Sequence, residues 1–334
     1  MSKITITDIA NKLNLSTSTV SRALSDHPEV SVRTREIVRK TARELKYRPN
    51  IIAQSLQRGQ SNIIGVLVPQ VRHVFFAEIM AGISDVMEKA RYNILICQSN
   101  ENYENEVRNV ETLIQQRIAG LMVSISERTK HFDHFLQVLD NKIPLVFFDR
   151  ICSVIPASSV STNDYQAAFD LVQFLVEKGY RRIAHLAGFS NLQIAQQRFL
   201  GYKAALEYNK VPFDPELVVE NGLNEEDGKV GFLTLYKRCK VKPDAIFAVT
   251  DPVAFGAFQE IKKTGLKIPD DIALAGFSNN PTGAMIEPSL TTVNQSAYDI
   301  GKVAAELLLD SIKNNKQTII HKIIPTELIK RQST

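Results

Sequence analysis

The sequence predicts a small all-α domain over residues 1–48, a linker over 49–60, and a large α/β core with parallel sheets over 61–334. Three observations carry that expectation. Apolar residues recur at helical spacing from Ile6 to Leu45, interrupted by short polar breaks. From Asn62 onward, short apolar runs alternate with amphipathic stretches of helical length. The two regions also differ in charge: residues 1–60 hold 11 Lys and Arg against 5 Asp and Glu, whereas the rest holds 29 against 31.

In the N-terminal segment, Ile6, Ile9, Ala10, Leu13 and Leu15 follow a helical period that breaks at Asn14. Asparagine tolerates the left-handed backbone that a tight helix-to-helix turn requires. Ser16 then stands as N-cap of a second helix running from 17 to roughly 25. Ala10 is small enough for the helices to cross closely, and Val20 closes a small core. This is the spacing of a helix-turn-helix, whose second helix enters the DNA major groove. Val20 and Leu24 point inward, leaving Thr17, Ser18, Ser21 and Arg22 outside. An arginine can take guanine bidentately, and Thr or Ser can bond a base edge or touch a thymine methyl. An ordinary amphipathic hairpin shares the spacing, but it does not explain an outward face of Thr and Ser, which are weak helix formers.

Ser31 caps a third helix reaching about residue 45, with Ile37, Val38, Ala42 and Leu45 as its buried stripe. Arg33, Arg35, Arg39, Lys40 and Arg43 take its wetter faces. Pro49 ends it, because the residue before a proline avoids helical geometry. Residues 50–58 form a short potential helix stopped by Gly59. A helix of about eight residues hardly recovers its nucleation cost in water, so this one is expected to fold only against a partner. Its Leu56 either wedges into a minor-groove base step or packs against the following domain.

In the core, the runs IIGVLVP, NILICQS, AGLMVSI, IPLVFFD, RRIAHLAG, PDAIFAVT and DIALAGFS read as buried strands. Helical stretches at 77–91, 104–117, 165–179, 193–208 and 253–264 lie between them. These are too many units for one sheet, so two similar lobes are expected. The chain should pass to the second lobe around 160–163 and return near 288–294. That gives a first lobe of about 61–161 and 290–320, and a second of about 162–289 and 321–334. A long helix, 297–313, and an extended stretch, 318–328, complete the fold.

At 334 residues and 44% hydrophobic, the chain can bury a large core. The basic excess of the first sixty residues is the footprint of phosphate contacts. Cys97, Cys152 and Cys239 are odd in number and widely spaced, which suits a reducing compartment rather than a disulfide framework. No apolar run reaches membrane-spanning length, and residues 1–3 lead into a helix rather than a signal sequence. A cytoplasmic protein with no membrane partner is expected.

These elements together closely resemble the lactose-repressor family, which includes the purine repressor, over essentially the whole chain. The resemblance is carried by DIANKLNLSTSTVSRAL, VSVRTREIV, KYRPNIIAQSL, FFAEIMAGI, IPLVFFDR, RRIAHLAG, RFLGYKAAL, AVTDPVAFGA and PTELIKRQST. It implies a helix-turn-helix domain plus hinge helix ahead of a two-lobed, periplasmic-binding-protein-like core. It also implies a homodimer on double-stranded operator DNA, with base readout by Thr17, Ser18 and Arg22 and backbone contacts at Ser16, Thr19, Ser21, Ser31 and Thr34. Asn50, Ala53, Gln54 and Leu56 match the hinge helix, whose leucine pairs with its dimer mate to pry open the central base step.

For a small-molecule effector between the lobes, the resemblance implies Phe75 and Phe76 on the first strand-to-helix loop and Asn100 after the second strand. It adds Asp149 and Arg150 at the end of the fourth strand, Arg198 at the start of a helix, Asp251 after AIFAVT, and Phe277 and Asn279 after the last run. Open α/β sheets bind ligands at such strand ends. Aromatic rings with an Asp, an Asn and two Arg suit a polyhydroxylated ligand, a sugar or sugar derivative, neutral or acidic. The family often has Gly-Phe-Asp where this chain reads Gly276-Phe277-Ser278-Asn279. Without that acid the usual sugars are not assigned.

Three local signals are set aside. GLNEEDGKV has the wrong glycine spacing for a phosphate loop and Val230 where Ser or Thr is needed. His131 and His134 could share one helical face for a metal, but no further ligands accompany them, and a solvated face is expected. Asp149, Arg150 and Cys152 lack a histidine to activate the thiol. The expectation is an operator-specific regulator, a repressor, with no catalysis, cofactor or metal. A global regulator with a protein co-effector is the first alternative. A sugar-binding transport component is the second, opposed by the basic N-terminal module.

Overall fold

The computed structural model describes residues 4–47, 61–314 and 318–334. It divides into two compact units, within residues 1–61 and 62–334. The expected hinge residues Asn50, Ala53, Gln54 and Leu56 lie outside the described residues.

The first unit holds α1 (Ile6–Leu13), α2 (Thr17–Leu24) and α3 (Val32–Glu44). Thr5 and Asp8 close a capping box on α1, with Thr5 N donating to the Asp8 carboxylate at 2.7 Å. Those bonds hold the Asp8 carboxyl below its usual range. Asn14 adopts the left-handed conformation, φ 52°, and Leu15 N donates to Ala10 O at 3.0 Å. Ile9, Ala10, Val20, Ala23, Val30, Val38 and Ala42 form the core. Ile37, expected inside, is exposed, and Thr41 is buried instead. The inward face runs through 38, 41, 42 and 45, and a residue one step before 38 is rotated about 100° away from it.

The second unit opens with β1 (Ile63–Val68), α4 (Val74–Lys89), β2 (Asn93–Gln98), α5 (Tyr103–Gln115), β3 (Gly120–Val123), α6 (Asp133–Asp140), β4 (Leu145–Phe148) and β5 (Ser158–Thr162). After the first crossing come α7 (Asp164–Glu177), β6 (Ile183–Ala187), α8 (Gln193–Tyr208), β7 (Val218–Glu220), α9 (Glu225–Arg238), β8 (Ala245–Ala248), α10 (Asp251–Lys263), β9 (Ala273–Ala275) and α11 (Thr282–Met285). The chain ends with β10 (Thr292–Asn294), α12 (Ala297–Asn314), β11 (His321–Ile324) and β12 (Glu327–Ile329). Two parallel sheets result, in the orders β11-β5-β4-β3-β1-β2 and β7-β6-β8-β9, plus an antiparallel ribbon of β10 with β12.

The lobe boundaries need correction. Residues 321–324 were expected in the second lobe, yet β11 pairs in parallel with β5 at the edge of the first sheet. Residues 292–294 were expected in the first lobe, yet β10 and β12 pack against α7 of the second. The chain therefore crosses at 162–163, 294–297 and 324–327. The strand after α12 takes the nearest open edge of the sheet that α12 covers, as short connections require. NILICQ, read as buried, is an edge strand exposing Leu95 and Ile96.

Glycines let α4 and α12 meet backbone to backbone. A Cβ on Gly82 would fall 2.1 Å from Tyr298 O, and one on Gly301 would fall 2.0 Å from Ile79 O. This clamp fixes the loop before α12 against the start of α4, where the two lobes face each other. Among the described residues no helix is long and apolar enough to cross a membrane.

Candidate functional sites: a reading helix and an interlobe cavity

The N-terminal end of α2 is built to present itself. Ser16 caps it, accepting from Thr19 N at 3.1 Å, and its hydroxyl lies 2.8 Å from those of Ser18 and Thr19. Val20 and Ala23 are fully buried, which orients the opposite face outward. Thr17, Ser18 and Arg22 are exposed there, whereas Thr19 and Ser21 are half-buried beside them. Arg22 Nη1 rests on Glu29 Oε2 at 3.0 Å with both side chains more than half exposed, so the pair is weak and easily parted. Ser31 caps α3 through Thr34 N at 3.2 Å, which brings a second helix N-terminus and its free N–H groups to the surface.

In the second unit, a cavity of about 690 Å³ opens where the strand ends of the two lobes meet. Phe75, Phe76, Asn100, Asp149, Arg150, Arg198 and Asn279 all line it. The two rings belong to the first turn of α4 rather than to the preceding loop, edge to face at 5.5 Å, with Phe76 buried in the core. Asn100, Asp149, Ser278, Asn279 and Ser296 have φ between 50° and 118°, so the chain turns left-handed at the strand ends. Non-glycine residues in that region are held by their surroundings and cluster at functional sites.

Arg150 and Arg198 anchor opposite sides. Arg150 Nη1 reaches both oxygens of Glu101 at 2.9 Å, its buried Nε has no hydrogen-bond partner among the described residues, and its guanidinium lies 6.0 Å from the Phe76 ring. Arg198 is almost fully buried, pairing with Asp164 Oδ1 at 2.7 Å, donating to Val249 O at 2.7 Å and stacking 3.8 Å over the Phe277 ring. Burial raises the Asp164 carboxyl against the pull of Arg198. Burial also pushes Asp149 up to about 6, opposed by Arg150 and Arg198 and by the Ser124 hydroxyl. Glu127 likewise rises to about 6, from burial and then the neighbouring Glu101 charge.

Asp251 and Phe277 do not line the cavity, contrary to expectation. Asp251 is fully buried and faces its own lobe, accepting from Asn280 N at 2.6 Å and Thr292 Oγ1 at 2.7 Å. Burial lifts it to about 6 despite those bonds. Phe277 is the shelf beneath Arg198. Both shape the wall without forming its surface. Glu101, Glu127, Arg128, Asn224, Asn280 and Gln295 line the cavity and were not anticipated. Glu127 and Arg128 follow β3, a strand end that the same topological rule covers.

His134 is buried rather than solvated, with Nε2 3.1 Å from Glu106 Oε1. Glu106 also takes Ser126 N at 2.7 Å and Thr129 Oγ1 at 2.7 Å, which ties down the loop carrying Glu127 and Arg128. The discarded GLNEEDGKV run is the capped start of α9, with Asn224 as N-cap. Among the described residues no group of three or more His, Cys, Asp or Glu could hold a metal.

A helix-turn-helix reading head joined to a two-lobed α/β core with a polar interlobe cavity defines a DNA-binding regulator of the periplasmic-binding-protein-like class. Residues 5–50 match the bacterial regulatory proteins, lacI family, and residues 172–334 match the periplasmic binding protein-like domain. Catabolite control protein A of Priestia megaterium is 32% identical over 334 residues, covering 99% of each chain. The ribose operon repressor of Haemophilus influenzae is 31% identical over 329 residues, 98% of each. A structure of the lac repressor dimer bound to operator and an anti-inducer superposes with a TM-score of 0.86 at 26% identity, covering 100% of this chain and 99% of that one. The chain belongs to the lacI family of bacterial regulatory proteins: it is a DNA-binding transcriptional repressor and not an enzyme.

Proposed function

We propose that the protein binds an approximately palindromic operator as a homodimer in the cytoplasm, under the control of a small metabolite, a sugar or sugar derivative, held between its lobes. Thr17, Ser18 and Arg22 read bases in each half-site, and Ser16, Thr19, Ser21, Ser31 and Thr34 position the backbone. Asn50, Ala53, Gln54 and Leu56 engage the minor groove at the centre, where a flexible pyrimidine–purine step would admit two leucines. The exposed edge strand β2, with Leu95 and Ile96, suits association with a second copy. A dimer on operator is what the lac repressor structure contains.

The observation that carries the control is the cavity itself. Polar groups of both lobes face one space, so a ligand touching both has a different affinity for each interlobe arrangement, and only such a difference can shift an equilibrium. A difference of about 1.4 kcal/mol changes the balance tenfold, within reach of one or two hydrogen bonds. Sugars and sugar derivatives that raise the melting temperature identify the ligand. The same compounds must then change affinity for an operator selected from random DNA. Ligands that stabilise the core yet leave DNA affinity unaltered would sink the coupling.

A further inference from the structure

The two walls of the cavity are chemically unlike, and this inference rests on the reading of that cavity as the effector site. The first-lobe wall carries four carboxylates, Glu78, Glu101, Glu127 and Asp149. Among the described residues the second-lobe wall carries none, and its charged side chain, Arg198, is neutralised from behind by Asp164. Instead it offers Asn224, Asn279 and Asn280, with Asn294 at the adjoining crossover.

In each of these asparagines the side-chain oxygen is already taken by a group that can only donate. Asn224 Oδ1 accepts from Glu226 N at 3.0 Å and Asp227 N at 3.3 Å, and Asn280 Oδ1 from Thr282 N at 3.0 Å. Asn294 Oδ1 accepts from Ser296 N at 3.1 Å. Asn279 Oδ1 accepts from Arg331 Nη2 at 2.7 Å, and Arg331 is itself fixed through Nη1 to Leu290 O at 2.8 Å. A backbone N–H or a guanidinium has no acceptor, so it dictates which way the amide is turned. Each Nδ2 is left as a donor with no hydrogen-bond partner among the described residues. Two nearby acceptors that could balance them are taken: Gln295 Oε1 accepts from Ser278 Oγ at 3.0 Å, and Asp251 is buried against Asn280 N and Thr292.

We propose that the effector is a sugar acid. Its hydroxyls face Asp149 and Arg150 on the first lobe, and its carboxylate, an acceptor-only group, lies against the amide donors of Asn224, Asn279 and Asn280 on the second. Arg331 is a positioning residue: it holds the Asn279 amide with its donor side toward the ligand. A carboxylate satisfies several N–H groups at once, whereas a hydroxyl brings a hydrogen for which this wall has no side-chain carboxylate. A phosphate dianion offers the same acceptors, but it brings a second charge to a wall whose cation, Arg198, is already paired with Asp164.

The test is calorimetric titration of the full chain at pH 7.5 with matched sets: D-glucose, D-glucuronate and glucose 6-phosphate, and the corresponding galactose series. At least one uronate is expected to bind tenfold or more tightly than its neutral parent and its phosphate. Asn279→Asp retains a partner for Arg331 but replaces the donor by an acceptor, and should erase that preference. Arg331→Met frees the amide to turn, and should lower the uronate-to-sugar affinity ratio rather than all affinities equally, with melting curves confirming that the variant folds. A neutral sugar binding as tightly as its uronate, a preference for phosphate, or an unchanged ratio in Asn279→Asp overturns the sugar-acid assignment while leaving the cavity as effector site. No heat from any member of either series overturns both.

Discussion

Replacing Asp149 by Asn should stabilise the unliganded protein while damaging its response to ligand. The Asp149 carboxyl is raised from 3.8 to about 6 because burial costs its charge more than Arg150, with Nε 4.0 Å away, returns. A shift of about two units corresponds to about 3 kcal/mol of folding free energy. The cost is absent below pH 3.8, where the group is protonated in both folded and unfolded states. It grows as pH rises toward 6 and is complete above that. Asparagine fills the same volume without the charge, so the gain should approach about 3 kcal/mol at pH 7.5 and roughly half of that at pH 5. For a unit of this size about 2–4 °C accompanies each kcal/mol, so calorimetry should show a rise on the order of 6–12 °C at pH 7.5 and a smaller one at pH 5. Ligand binding should weaken by about 10- to 100-fold through loss of a charge-assisted bond. An unliganded melting temperature that falls, or a gain independent of pH, would refute the buried-charge reasoning.

Arg22→Ala should cost about 1–3 kcal/mol on operator and relax preference at one base pair per half-site, with no change in melting temperature because its pair with Glu29 is exposed. Competition binding on specific and random duplexes checks it, and equal weakening on both would reduce Arg22 to a phosphate contact. Asn14→Ala places a Cβ-bearing residue without a short polar side chain at φ 52°, and should lower the opening free energy of the first unit by about 1–2 kcal/mol, read from hydrogen exchange at 10–24. Gly301→Ala should destabilise the second unit by about 1–3 kcal/mol or more, since its methyl meets the Ile79 carbonyl at 2.0 Å. Gly231→Ala, whose methyl meets only the tip of Leu186 at 3.3 Å, should be nearly neutral in the same denaturation experiment.

The reading head was legible in the sequence because its determinants are local. Asn14, Ser16 and Ser31 act on backbone within a few residues, so composition and spacing reveal the turn and both caps. The strand-helix alternation of the core was legible for the same reason. Sheet order was not: β11 and β12 are both short and extended, yet one closes the edge of the first sheet and the other joins the ribbon on the second lobe. Nothing in HKII or ELI encodes which edge is open.

At the cavity, the family resemblance pointed to Asn100, Asp149, Arg150 and Asn279 and the strand-end rule agreed, but neither could tell which way a side chain turns. Asp251 sits at a strand end as expected and points into its lobe, because Thr292 and Asn280 N offer it bonds there. His134 showed a helical face to the sequence, but its partner Glu106 lies 28 residues away. Such long-range pairing of polar groups has no local signature. The donor character of the second-lobe wall depends on Arg331, 52 residues beyond Asn279, and is visible only once the chain is folded.

The most direct measurement is operator affinity of the full-length protein, by fluorescence anisotropy, on a duplex selected from random DNA, with and without a cavity ligand identified by thermal shift. The expected result is two-fold symmetric selected sites, affinity at least a thousandfold above bulk competitor at physiological salt, and a tenfold or larger change on adding ligand. That change should be lost in Asp149→Asn. No sequence preference, or an affinity indifferent to a ligand that demonstrably binds the core, would contradict a reading head governed by the cavity of the core.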